Sequence, residues 1–174
     1  MTHLFPRRLG DIKVTNNFKT ISSLASVALL AMGLSFTSVN AEDLVQYEIV
    51  DDNSIPVSLT GVAGDAKAGR AIMINRKQGN CLACHAVSDM SEQQFHGKIG
   101  PTLDGVAGRY SEGQLRMLVV NSKHVYPDTM MPAFYRAEGL HMVLKKFAGK
   151  SILSAQQVED VIAYLGTQKE AAFN

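Results

Sequence analysis

The chain has 174 residues, 46% of them apolar and 19% charged, enough to bury a core and short enough for a single domain. Its formal net charge is +1, and from Glu42 onward 13 Lys plus Arg stand against 15 Asp plus Glu, so no basic surface points to nucleic acid. Collagen-like or repetitive architectures are excluded by the absence of any period, and two cysteines are too few for a disulfide scaffold.

Residues 1–41 read as an export signal. Arg7, Arg8, Lys13 and Lys19 form a positive stretch, the apolar run Ile21 to Val39 follows, and Val39-Asn40-Ala41 resembles a peptidase site. The paired arginines match the twin-arginine pattern poorly. An uncleaved anchor competes, because the run approaches the roughly 20 residues that span a bilayer. Serines and a glycine within the run favour removal after Ala41, with the remaining chain in the periplasm.

Residues 42–63 mix acidic positions with alternating apolar ones (Val45, Tyr47, Ile49, then Val57, Leu59) and predict an extended N-terminal arm with short strands that could contact a partner; a frayed terminus competes equally. From residue 64 to 174 the pattern is helical. Asp65 caps a first helix expected to run to about Lys77 and to be ended by Gly79. Ser111 with Gln114 opens a second, ending near Ser122, and Ser154 with Gln157 opens a third, where Val158, Val161, Ile162 and Leu165 share one face. Prolines at 127 and 132 interrupt the chain between them. No sheet is expected. All-α helices joined by long loops suggest that the loops wrap something that substitutes for protein core.

Cys81-Leu82-Ala83-Cys84-His85 supplies the candidate. Cys-x-x-Cys-His is the attachment signature of c-type haem: two thiols on one tight turn add to the two porphyrin vinyl groups, and the adjacent histidine is tethered beneath the iron. A thioredoxin-like pair would need a strand before the motif and a βαβ pattern. A zinc site would need two further ligands, and His96, His124 and His141 are scattered.

For the second axial position, Met130 and Met131 lie before Pro132, and adjacent side chains in an extended segment point apart. Proline restricts its predecessor to extended backbone, which favours Met131; thioether ligation raises the potential. Met130 and His124 remain alternatives, as do His96 and His141. Met73, Met90, Met117 and Met142 read as filler. Gly100-Pro101 is placed to offer His85 a carbonyl acceptor. Arg109 reads equally as a partner for a haem propionate or as a surface arginine.

These residues carry a resemblance. Gly64-Asp65, Gly69, the Cys81 to His85 motif, Gly100-Pro101-x-Leu103-x-Gly105, Arg109 and Met131-Pro132 resemble the class I cytochrome c fold across residues 64–168. In that fold the first and last helices cross with a small residue against an aromatic one, here Gly69 and Tyr164. The runs Asp128 to Arg136 and Leu153 to Leu165 are more specifically similar to the SoxX family, the monohaem cytochrome subunits of SoxAX complexes; Leu144-Lys145-Lys146-Phe147 is more basic than that family's pattern.

The resemblance implies one covalent haem c, iron ligated by His85 and Met131, and a heterodimer with a SoxA-type dihaem or monohaem cytochrome. That complex acts as an L-cysteine S-thiosulfotransferase, joining thiosulfate to a cysteine of the carrier SoxYZ, with electrons leaving to a soluble cytochrome c. This subunit would transfer electrons without being the catalytic one. A free-standing periplasmic shuttle and a haem-based sensor are the competing functions.

Overall fold

The computed structural model describes residues 44–169; residues 1–43 and 170–174, and with them the expected export signal, lie outside the described part. Four α-helices follow in order, α1 (Ala66–Ile74), α2 (Val106–Arg109), α3 (Glu112–Val125) and α4 (Ala155–Leu165), with 3-10 turns at Cys81–Ala83, Ser88–Met90 and Lys145–Phe147. Among the described residues there is no strand. The arm contains an isolated bridge between Val50 and Ser54, so the short strands expected there are extended chain instead.

The Asp65 side chain accepts the Lys67 N–H at 2.8 Å and starts α1 as expected. The helix stops at Ile74, short of the expected Lys77, because Asn75 turns the chain. Its carbonyl takes the Gln78 and Asn80 N–H groups, and its side-chain oxygen takes that of Lys77. This is the local competition with helix that asparagine offers. Gly79, expected as the terminator, is a point of close approach: a Cβ there would lie 2.9 Å from the Ile72 carbonyl oxygen.

Helices α1 and α4 cross in near-backbone contact. A Cβ on Gly69 would sit 1.9 Å from the Asp160 carbonyl oxygen, so only glycine fits. Tyr164, one turn further along α4, is buried and donates its hydroxyl to Asp89 at 2.8 Å. Burial, reinforced by that carboxylate, raises the phenol well above its ordinary value. Both capping boxes form as the sequence predicts, at Ser111/Gln114 and Ser154/Gln157.

Helix α3 runs past the expected Ser122 to Val125 but is broken at Asn121 (φ −153°, ψ 74°). The carbonyls of Val119 and Val120 are taken by the N–H groups of Phe134 and Tyr135 at 3.2 and 3.1 Å. The core beneath is apolar, with Met73, Met90, Met117, Val120 and Val158 fully buried. Each such side chain contributes roughly 1.5–3 kcal/mol of burial free energy.

The arm is laced down. Val45 N–H donates to the Tyr135 hydroxyl (2.9 Å), Ile55 N–H to the Gly113 carbonyl (2.9 Å) and Leu59 N–H to Glu159 Oε1 (2.8 Å). At its centre lies Arg116, 1% exposed. Its guanidinium pairs with Glu159, which is 4% exposed, through Nε and Nη2, and its Nη1 donates to the Ile55 carbonyl at 2.8 Å. Burial works against the charge, but hydrogen bonds to Glu159 and Glu112 more than offset it and keep the guanidinium ionised.

Candidate cofactor site

Asn80, in left-handed backbone (φ 48°), leads into a turn in which the Cys81 carbonyl accepts the N–H groups of Cys84 (3.1 Å) and His85 (3.0 Å). Both cysteines are free and half-buried. Burial pushes the Cys81 thiol up to about 12. Among the described residues there is no cluster of three His, Cys, Asp or Glu side chains placed to hold a metal ion.

The expected acceptor for His85 is in place: Nδ1 lies 2.7 Å from the Pro101 carbonyl oxygen. With Nδ1–H donated there, Nε2 carries the free lone pair that a metal needs. Gly100 lies flat against the ring, where a Cβ would come within 2.3 Å of Cε1. The loop that presents Gly100 and Pro101 is stitched to the motif. Gly97 N–H donates to Leu82 O (2.7 Å), Gly100 N–H to Cys84 O (2.9 Å) and Leu103 N–H to Ala86 O (3.0 Å).

Arg109 closes this loop, donating from Nη1 to Asp104 O and from Nη2 to Thr102 O, both at 2.7 Å. Arg109 is exposed and braces the backbone beside Pro101, its guanidinium bonded to carbonyls of its own loop. Asp104 in turn receives the Ser88 N–H (2.8 Å) and hydroxyl (2.7 Å). Burial raises its pKa, but the Ser88 hydrogen bonds, with Thr102 and Arg109, outweigh it and hold the carboxyl below its ordinary value.

Further along the chain, Met130 is 78% exposed while Met131 is half-buried and packs on the core, the alternation expected of neighbours in extended chain. Cys81, Leu103, Tyr110 and Met131 all rim the same core without being fully covered by protein. Two free thiols, a histidine with its Nδ1 occupied and a sulfur donor on the core edge are a donor set that fits a covalent haem.

Among the described residues, His96 and His124 are engaged elsewhere. His96 accepts the Val87 N–H at Nδ1 (3.1 Å) and faces Met90 O through Nε2 (3.1 Å). His124 Nε2 pairs with Asp52 of the arm at 2.8 Å, and His141 is exposed in the stretch between Tyr135 and Leu153.

Sequence reasoning missed three groups. Arg116 with Glu159 had one usable signal, since Glu112 and Arg116 are an i,i+4 pair on a helix whose other face is apolar. Asp104 and Ser122 had none, because their partners lie across loops at Ser88 and at Met131.

A family model described as cytochrome c matches residues 66–169. The crystal structure of SoxXA from P. pantotrophus contains a chain 40% identical to this one; the match covers 71% of this chain and 95% of that one, with a TM-score of 0.66. The c-type cytochrome SorU from Sinorhizobium meliloti matches at 24% identity over 63% of this chain and 95% of its own, with a TM-score of 0.41. No curated protein sequence matches. With two free thiols and a ligand-ready histidine in one turn, the chain belongs to the cytochrome c family as a SoxX-type monohaem electron-transfer cytochrome carrying covalent haem c.

Proposed function

We propose that this chain is the electron-transfer subunit of a SoxAX-type complex in the periplasm, its export signal removed after Ala41. A SoxA-type cytochrome would be its heterodimer partner, consistent with its likeness to a chain of SoxXA. In the reaction proposed, a carrier thiol of SoxYZ and thiosulfate form one S–S bond, releasing one proton and two electrons. The electrons leave one at a time, through this subunit, to a soluble cytochrome c.

When bound, the haem supplies a one-electron ferric/ferrous couple. Cys81 and Cys84 would hold it covalently, and His85 Nε2 and the Met131 sulfur would take the two axial positions. Pro101 orients the histidine by accepting from Nδ1, and Arg109 with Asp104 steadies the loop that does so.

The observation that carries the reading is the half-buried Met131 beside a fully exposed neighbour on a closed prolyl loop. Such a donor would serve as the second protein ligand to the iron, in competition with any substrate or gas, and both cysteines would be used for attachment. That favours electron storage over sensing. The arm, docked through Val45, Ile55 and Leu59, is an extension that a solitary shuttle has no need of.

The test is reconstitution. The native chain should co-elute with a SoxA-type partner, and thiosulfate with SoxYZ should reduce its haem only when that partner is present. Elution as a lone monomer with no thiosulfate-dependent reduction defeats the proposal. Ready binding of carbon monoxide by the ferrous wild type would favour the sensor.

A further inference from the structure

Met131 stands immediately before Pro132, which has no N–H, so the backbone around this sulfur donor cannot be secured by an ordinary hydrogen-bond ladder. The chain secures it in another way. Thr129 Oγ1 accepts the Met131 N–H at 3.2 Å, and the Thr129 carbonyl is itself held by Lys123 Nζ at 2.6 Å. On the other side of the residue, Ser122 Oγ donates to the Met131 carbonyl at 2.9 Å and lies 3.3 Å from that of Pro132.

Ser122 is 1% exposed. A serine inside a helix commonly turns its hydroxyl back to a carbonyl one turn earlier. Here the break at Asn121 interrupts α3 just before Ser122, and the two carbonyls ahead of the break go to Phe134 and Tyr135. The helix is thus opened on the face along which residues 131–135 run, and the serine at the opening meets the ligand residue's own carbonyl.

We propose that Ser122 is a positioning residue for Met131: its hydroxyl fixes the backbone of the sulfur donor and thereby holds the sulfur against competing ligands. This rests on the reading of Met131 as the sixth ligand. A small external ligand can bind ferric haem only after the sulfur swings away. Loosening its backbone therefore raises the apparent affinity for that ligand, without touching the histidine side.

The experiment is an imidazole titration of the ferric holoprotein. Ser122→Ala should bind imidazole roughly tenfold more tightly, the effect of one lost hydrogen bond to a buried carbonyl, while retaining the methionine-to-iron charge-transfer band before imidazole is added. Thr129→Val, which removes the acceptor of the Met131 N–H at a less buried site, should move affinity in the same direction by about threefold. A purely structural serine would lower global stability and leave imidazole affinity alone.

Unchanged affinity in both variants, with Met131→Ala devoid of the band, overturns the proposal and leaves the ligand assignment standing. A Met131→Ala protein that keeps the band defeats the assignment and the proposal together. Should Ser122→Ala fail to fold, Ser122→Cys, which keeps the volume but offers only a weak donor, decides in the same titration, unchanged imidazole affinity overturning the proposal.

Discussion

On the histidine side of the site, residues 81–109 are consecutive in sequence and hold one another largely through the backbone: Gly97 to Leu82, Gly100 to Cys84, Leu103 to Ala86, with Arg109 clasping two further carbonyls. The methionine side is assembled differently. Met131 is held by side chains of Ser122, Thr129 and, indirectly, Lys123, projecting from the end of a broken helix and from the loop itself. Backbone bonds share the load on the first side, whereas the two hydroxyls of Ser122 and Thr129 hold the Met131 backbone on the second. On the proposed ligation, His85 would be the preorganised ligand and Met131 the replaceable one, and ligand exchange would be governed from α3.

The harshest way to break the histidine side is to remove its tether. Replacing both Cys81 and Cys84 by Ala leaves no thiol to add to either vinyl group, and the yield of haem that resists acid-acetone extraction should fall to a small fraction of wild type; full retention would contradict the thioether assignment. The equivalent test of the other side compares neighbours. Met131→Ala should lose the ferric charge-transfer band completely, whereas Met130→Ala, altering a side chain 78% exposed, should keep it. The opposite pattern would exchange the two residues' roles.

A smaller but still large effect is expected beneath α3. Arg116→Met strands the buried Glu159 carboxylate, and breaking such a pair costs about 3–5 kcal/mol. Chemical denaturation of the holoprotein should show that loss, with the arm released in the same transition because Ile55 and Leu59 bond to the same pair. If the arm detaches at lower denaturant than α3 in the wild type, the pair is not the common support.

The contrast between the two sides also explains what the sequence could reveal. The histidine side is legible because its chemistry is written in nearby residues, the motif and then Gly100-Pro101, whereas the bonds of Arg109 to the Thr102 and Asp104 carbonyls have no sequence signal. The capping boxes at Ser111 and Ser154 are equally local and were placed correctly. The end of α1 was misread because Asn75, one polar residue among helix formers, binds its own neighbours more effectively than Gly79 terminates. Ser122, Asp104 and the Arg116–Glu159 pair stay hidden because their meaning depends on partners 9 to 43 residues away, and neither spacing nor composition encodes those meetings.

The gentlest prediction tests whether the histidine side is as redundant as its many bonds imply. Asp104 has a folded pKa below its ordinary value of 3.8, set by Ser88 against the opposing effect of burial. The sign follows from linkage: the ionised form is favoured in the fold, so the contribution is fully present above the ordinary value. It is lost as pH falls from there through the lower folded value. Asp104→Asn should therefore lower the denaturant midpoint at pH 7 by the equivalent of about 1 kcal/mol. The gap from wild type should close in the acid range below 3.8. Because Pro101 is also held through Arg109 and the Gly100 and Leu103 amides, the ferric spectrum and imidazole affinity should stay at wild-type values throughout. If the substitution instead loosens the axial ligands as much as Ser122→Ala does, the histidine side depends on one carboxylate, and the asymmetry between the two sides disappears.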